Sequence, residues 1–387
     1  MNQTPSPRWA PLQRLLLEGV DRGVYTGAVA LVGLKGECLW QEAVGRVSVD
    51  LQAEAVTPET VFDLASLTKP LATAVALMLL VDQGKLTLTT TLGDLLPGEW
   101  LPPDKAPLNL ESLLAHRAGL PAWRPFYQEV LPAPRSQRPG MLARLAAATP
   151  LEHPPDTATL YSDLGFMMLQ AAVQAVSGAS LDNFCQESIY RPLGLAALGF
   201  RALLGRGDAG SATANRKPQT ANRISYAATE PGLIPGRQIC GEVHDENAWA
   251  AGGVAGHSGL FGQGLEVFEL SAALYRAYHG QAAAPFRPAT VRLFLTPPPG
   301  ATRALGFDTP GPAAPPSATG RYFSPVSVGH LGFTGSSFWL DLDLGQMVIL
   351  LTNRVHLGRD DLEGIRAFRP RFHEAASRVM GFTETFR

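Results

Sequence analysis

The feature that most limits how this chain can fold is a pair of β-hairpin patterns at its opposite ends. Near the start, GAVALVGLKGECLWQEAVGRV has an apolar run at 28–33, a turn at Lys35-Gly36 and a second run at 38–45. Near the end, SSFWLDLDLGQMVILLTNR has two β-rich runs about a turn at Asp343-Leu344-Gly345. Lone hairpins are marginal in water, so the simplest outcome is one antiparallel sheet to which both termini contribute. Between them the pattern is helical. LNLESLLAHRAGLP, MLARLAAATP, YSDLGFMMLQAAVQAVSG and LDNFCQESIYRPLG each have helical spacing and end at Gly or Pro. Residues 11–22 form a further helix, with Leu12, Leu15, Leu16 and Val20 on one side.

The expected fold class is therefore α+β: an antiparallel sheet built from both chain termini and flanked by helices, with a mostly helical inserted lobe. Residues 1–65 and 236–387 would form the sheet lobe and 66–235 the helical lobe, with the active site in the cleft between them. Two stretches read less regularly. DDLEGIRAFRPRFHEAASRVM is a helix that Pro370 should interrupt. TPPPGATRALGFDTPGPAAPPSATG is a Pro/Gly-rich surface excursion around one short strand.

Composition excludes several classes of partner. Hydrophobic residues make up 45% and charged residues 17%, as in a folded globular chain. A net charge of −2 offers no electrostatic case for nucleic acid or an anionic membrane. The longest apolar run, ATAVALMLLV at 72–81, is about half of what a membrane span needs. The N-terminus lacks the basic and apolar regions of a secretory signal, so a cytoplasmic location is expected. Cys38, Cys185 and Cys240 have neither disulfide-framework nor zinc spacing and are expected to be reduced and mostly buried.

The chemistry centres on DLASLTKPLATAVALMLLVDQGKL, residues 63–86. The chain has five lysines (Lys35, Lys69, Lys85, Lys105, Lys217), and one stands at the head of this apolar helix, three residues after Ser66. Residues i and i+3 share a helix face, and Pro70 suits a first turn. A serine alcohol needs a base within hydrogen-bond reach, and a lysine amine serves if its pKa is lowered. The free N–H groups of a helix N-terminus favour a developing oxyanion. A plain N-cap and a solvated first-turn lysine would give the same spacing.

Two further stretches carry candidate groups. In LYSDLGF, Tyr161 is a possible proton shuttle beside an ammonium, and Asp163 either a site residue or a cap on the following helix. In VGHLGFTGSSFWLDL, Gly329, Gly332 and Gly335 within seven residues mean close backbone approach or a turn into a strand, either of which can present a backbone N–H.

Ser66-Leu-Thr-Lys69, Tyr161-Ser-Asp163 and His330-Leu-Gly332, in this order, resemble the three motifs of the serine β-lactamase and penicillin-binding-protein superfamily. The resemblance is strongest to its class C-like branch with its family VIII carboxylesterase relatives, and it covers most of the chain, including LLAHRAGLP and AGGVAGHSGLF. It implies Ser66 as nucleophile, Lys69 as the group taking its proton, and Tyr161 as relay to the leaving group. The backbone N–H groups of Ser66 and Phe333 would form the oxyanion hole. Asp163, His330, Leu331 and Gly332 would contact substrate, and Gly252 and Gly253 would lie near the nucleophile. No cofactor is implied.

Two departures bear on substrate. His330 stands where β-lactamases and peptidases usually have lysine, and a neutral imidazole lacks the permanent cation that holds a carboxylate. Asp163 stands where Asn is common, and an ionised Asp cannot donate to an amide carbonyl. Both favour a small carboxylic ester over an acylamino β-lactam or a D-alanyl-D-alanine peptide, which remain the alternatives. A ligand-binding protein without turnover is the alternative of another class. His244, Asp245, Glu246 and His257 have no zinc spacing, so no metal is expected. His116 reads as a hydrogen-bonded turn residue, and a Ser/His/Asp arrangement through His330 is the competing mechanism. The oligomeric state is open.

Overall fold

The structure, a computed structural model, describes residues 7–203, 224–231, 238–281, 283–311 and 317–383. Its strands are β1 (Gly27–Leu34), β2 (Glu37–Gly45), β3 (Phe62–Asp63), β4 (Gly199–Phe200), β5 (Ala228–Pro231), β6 (Gln238–Cys240), β7 (Leu260–Gly262), β8 (Val328–Leu331), β9 (Ser337–Leu340) and β10 (Gln346–Thr352). The main sheet has five antiparallel strands in the order β2-β1-β10-β9-β8, so the two terminal hairpins meet at β1 and β10. A small sheet, β3-β7-β4, and the pair β5-β6 complete the strand set among the described residues.

Helices cover both faces, and strand alternation shows why both central strands read as unbroken apolar runs. Val29 and Leu31 of β1, with Met347, Ile349 and Leu351 of β10, enter the larger core, against which α4 (Gly264–Tyr278) packs. Ala28, Ala30 and Val32, with Val348 and Leu350, face the second core, shared with α1 (Ala10–Asp21) and α5 (Glu363–Met380). The nucleophile-bearing stretch begins as a tight turn at Ala65–Leu67, widens over Lys69–Ala74 and continues as α2 (Val75–Asp82). Residues Ala65–Asp82 are long and apolar enough to pass a membrane-span test, yet 83% of them are buried inside the fold. They form a core helix.

Several expectations change. Pro370 does not interrupt α5, which runs unbroken from Glu363 to Met380. Ile365, Phe368, Phe372 and Ala376 bury one face of it against the sheet, and that packing offsets the roughly 3 kcal/mol that an interior proline costs. The 296–320 excursion contains no strand among its described residues. It makes two single bridges: one is internal, Ala304 with Phe307, and the other, Asp308 with Gly329, ties it to the edge strand β8. Of the three cysteines only Cys185 is buried.

Candidate active site

The turn before Ser66 is held in an unfavourable backbone state. Ala65 has φ +47°, a region non-glycine residues rarely occupy. The buried Asp63 carboxylate fixes this turn: Oδ1 accepts the Ala65 N–H at 2.9 Å and Oδ2 the His244 N–H at 2.7 Å. Burial pushes the Asp63 pKa up, partly opposed by those two donors. Thr68 Oγ donates to Ala65 O at 2.6 Å and accepts the Leu260 N–H, stitching the turn to β7. Ser66 is thereby presented at the head of the helix, beside the end of β8.

Lys69 is fully buried, and its Nζ meets three groups. It donates to Ser66 Oγ at 3.1 Å and to the His257 carbonyl at 3.1 Å, and it pairs with Asp163 Oδ1 at 2.6 Å. It also lies 4.8 Å from the centre of the Tyr161 ring. The expected lowering of its pKa does not occur. Burial favours the neutral amine, but the Asp163 carboxylate and Tyr161 outweigh it, and Lys69 titrates above the ordinary lysine range. Tyr161 faces Lys69 and Ser66. Burial raises its pKa and the Lys69 charge pulls it back, leaving it above the usual tyrosine value. The resting arrangement is an ammonium, a carboxylate and a neutral phenol.

Asp163 is therefore not the helix cap. It is the first residue of α3 (Asp163–Ser177), Ser162 occupies the cap position, and the carboxylate turns back to Lys69. The His257 carbonyl is delivered by a glycine. A side chain at Gly256 would collide with Phe166 O. Gly256 O accepts from Thr73 and its N–H donates to Gln170. The segment touching the nucleophile helix is thus Gly256-His257. Gly253, expected there, packs against Arg201 and Leu203.

The histidines fall into structural pairs. His257 Nε2 meets Asp245 Oδ1 at 3.0 Å, and Asp245 is held down to about 2, burial being outweighed by His257 and the Ala248 N–H. His244 Nε2 meets Glu230 at 2.6 Å. Asp163, Asp245 and His257 bring donor atoms within 4.8 Å of one another, but the Lys69 ammonium already lies against Asp163. His116 is the expected turn residue, with φ +57°, and its Nδ1 accepts the Ser162 N–H at 3.0 Å.

His330 is buried at the end of β8, and its Nδ1 bonds the Leu331 carbonyl at 2.8 Å. A carbonyl only accepts, so Nδ1 carries the hydrogen and Nε2 holds a lone pair with no partner. Burial and the positive charge of Lys69 push its pKa well below the usual value, so the ring is neutral at pH 7. It makes no hydrogen bond to Ser66. Leu331 closes β8 and Gly332 packs against Leu64 O, next to the Ser66 turn. Among the described residues, the Ser66 and Phe333 N–H groups donate to no protein acceptor.

Sequence reasoning missed three arginines. Arg303, from the Pro/Gly-rich excursion, pairs with Asp308 and stands 5.2 Å from the centre of the Tyr161 ring. Arg354 and Arg369 lie behind the Gly332–Ser336 turn. No spacing rule marks them, because each is distant in sequence from the motif it supports.

Comparison with known proteins agrees with this geometry. The family described as Beta-lactamase matches residues 12–368. A protein named "Putative D-alanyl-D-alanine carboxypeptidase" from Escherichia coli O157:H7 is 32% identical over 365 residues, covering 89% of this chain and 82% of its own length. The same-named protein of Escherichia coli strain K12 is 33% identical over 326 residues, covering 81% and 73%. Among solved structures, a penicillin-binding protein homologue from Caulobacter crescentus has a TM-score of 0.69 at 18% identity, covering 98% of this chain and 99% of its own. EstCE1, a hydrolase with promiscuous acyltransferase activity, has a TM-score of 0.67 at 20% identity, covering 94% and 98%. Both share the fold. The chain belongs to the β-lactamase family and is a serine hydrolase of that fold.

Proposed function

We propose that the protein hydrolyses small carboxylic esters through an acyl-enzyme on Ser66, in a cleft between the 66–235 lobe and the lobe of 1–65 with 236–387. The observation that carries the ester reading is the neutral, buried His330 at the end of β8. A carboxylate-bearing β-lactam or peptide gains no cation from it. Asp163 adds to this, since its carboxylate is committed to Lys69 and offers an amide carbonyl no donor.

In this reading Ser66 Oγ attacks the ester carbonyl while its proton passes to the Lys69–Tyr161 pair. Because Asp163 holds Lys69 as an ammonium, the pair must first release a proton. Its base form therefore grows with pH, and the two groups titrate as a unit. The negative charge on the carbonyl oxygen falls to the Ser66 and Phe333 N–H groups. Collapse expels the alkoxide, which takes the proton back through Tyr161. Water then attacks the acyl carbon, its proton moves to the same pair, and Ser66 is released.

A second reading has one supporting observation. Arg303 brings a guanidinium beside Tyr161, a cation near the site although not at the expected position. It would suit a D-alanyl peptide, as the relatives' name suggests. A panel of p-nitrophenyl acetate, nitrocefin and a D-Ala-D-Ala peptide decides between them. The ester reading predicts the highest kcat/KM on the acetate. A higher value on nitrocefin or the peptide overturns it.

A further inference from the structure

The Gly332–Ser336 turn has an unusual carbonyl side. Arg369 donates from Nη2 to Gly332 O at 2.8 Å and Ser336 O at 2.9 Å, and from Nε to Gly335 O at 3.1 Å. Arg354 donates from Nη2 to Phe333 O at 2.9 Å and from Nε at 3.3 Å, while its Nη1 reaches Asp361 O at 2.8 Å. The remaining carbonyl, Thr334 O, accepts the Arg354 N–H and Thr352 Oγ. All five carbonyls are thus occupied, four of them by the two guanidiniums. Arg354 is 3% and Arg369 7% exposed, and neither makes a direct ion pair with a carboxylate among the described residues, although Glu230 and Asp361 lie near enough to attract Arg354. Buried guanidiniums without a direct carboxylate contact are costly to keep, so a role in aligning this turn is the natural reason for them.

The direction of these bonds matters. In a trans peptide the C=O and the following N–H point opposite ways. Fixing Gly332 O on Arg369 therefore aims the Phe333 N–H away from that guanidinium, and Gly332 itself packs against Leu64 O of the turn that carries Ser66. A charge-assisted bond on that carbonyl also polarises the amide and strengthens its N–H as a donor. Arg354 steadies the same residue from its other side: it holds Phe333 O and lies 5.1 Å from the ring centre, with His244 stacked at 5.7 Å.

We propose that Arg369, with Arg354, is a positioning residue for the oxyanion donors: the two guanidiniums lock the Gly332–Ser336 carbonyls so that the Phe333 N–H meets the substrate's carbonyl oxygen. This rests on the acyl-enzyme reading above. The role acts through the backbone, so neither arginine touches substrate.

The test pairs an oxygen ester with its thionoester, whose sulfur is a poor acceptor for oxyanion donors. Arg369→Lys keeps the charge but loses the planar fork. It should lower kcat on the oxygen ester about 10- to 100-fold, part of what removing a whole oxyanion donor costs. KM should stay within about threefold, and the oxygen-to-thiono rate ratio should fall. Unchanged kcat, or a lower kcat with the ratio unaltered, overturns the proposal. If Arg369→Lys does not fold by circular dichroism, Arg354→Lys is judged by the same ratio. Ser66→Ala run in parallel separates the two ideas. An inactive Ser66→Ala protein beside a normal Arg369→Lys protein overturns the positioning role alone. Hydrolysis surviving in Ser66→Ala overturns the acyl-enzyme reading, and the positioning role with it.

Discussion

The two sides of the Ser66 hydroxyl are built by different means. On one side stand ionisable side chains, Lys69 and Tyr161, which shift one another's titration under the influence of Asp163. On the other stands a backbone turn, four of whose five carbonyls are held by the guanidiniums of Arg369 and Arg354. Proton transfer needs groups that change charge, so that side must be pH-sensitive. Oxyanion stabilisation needs donors already in place, so that side is made of backbone held by cations that stay charged, Arg369 being lowered by burial only to about 9. The contrast predicts that substitutions on the two sides change different observables.

The largest effect should come from Lys69→Ala, which removes the amine bonded to Ser66 and strands the Asp163 carboxylate. A loss of about 10³-fold or more in kcat/KM on p-nitrophenyl esters is expected, with little change in the oxygen-to-thiono ratio. Near-normal kcat would mean that the base lies elsewhere. Next is Asp163→Asn. The Asp163 charge raises the Lys69 pKa, and Lys69 acts in its neutral form, so removing the charge should move the acid limb of the pH–rate profile to lower pH. A limb that stays in place or moves up contradicts the ion-pair account.

The smallest effect belongs to the backbone side. His373, one turn after Arg369 in α5, is buried against Ser337 of β9 and Ala318 O, and burial lowers its pKa to about 4. The folded state then binds fewer protons than the unfolded chain, whose histidine titrates near 6.5. Its contribution is complete above 6.5 and fades as pH falls through about 4, a loss of roughly 3 kcal/mol. Unfolding free energy measured from pH 7 to 4 should drop accordingly, and His373→Gln should flatten that drop. An equal slope in both proteins would assign the acid sensitivity to other groups.

Much of the fold was legible because its signals are local. The two hairpins, the Gly345 turn and the helix stop at Gly178 are written in residues adjacent in sequence. The grouping of Ser66, Lys69 and Tyr161 was also legible, through spacing and motif order. The charge state of Lys69 was not. It depends on Asp163 turning back across the site, which no periodicity encodes. Arg354 and Arg369 stay hidden because a buried cation bonded to carbonyls leaves no complementary charge in the sequence to pair it with; Arg303 does pair with Asp308, but nothing local in the sequence places it beside Tyr161. Pro370 marks a helix break by propensity alone, and only the packing of α5, which the local sequence does not display, overrides it.

The central claim is that Ser66 becomes acylated during turnover. The most direct measurement is intact and peptide-level mass spectrometry of the protein quenched while hydrolysing a p-nitrophenyl ester, with a fluorophosphonate-treated sample beside it. The account predicts one acyl or phosphonyl group, located on Ser66. A modification on another residue, or turnover with Ser66 unmodified in both samples, would contradict it.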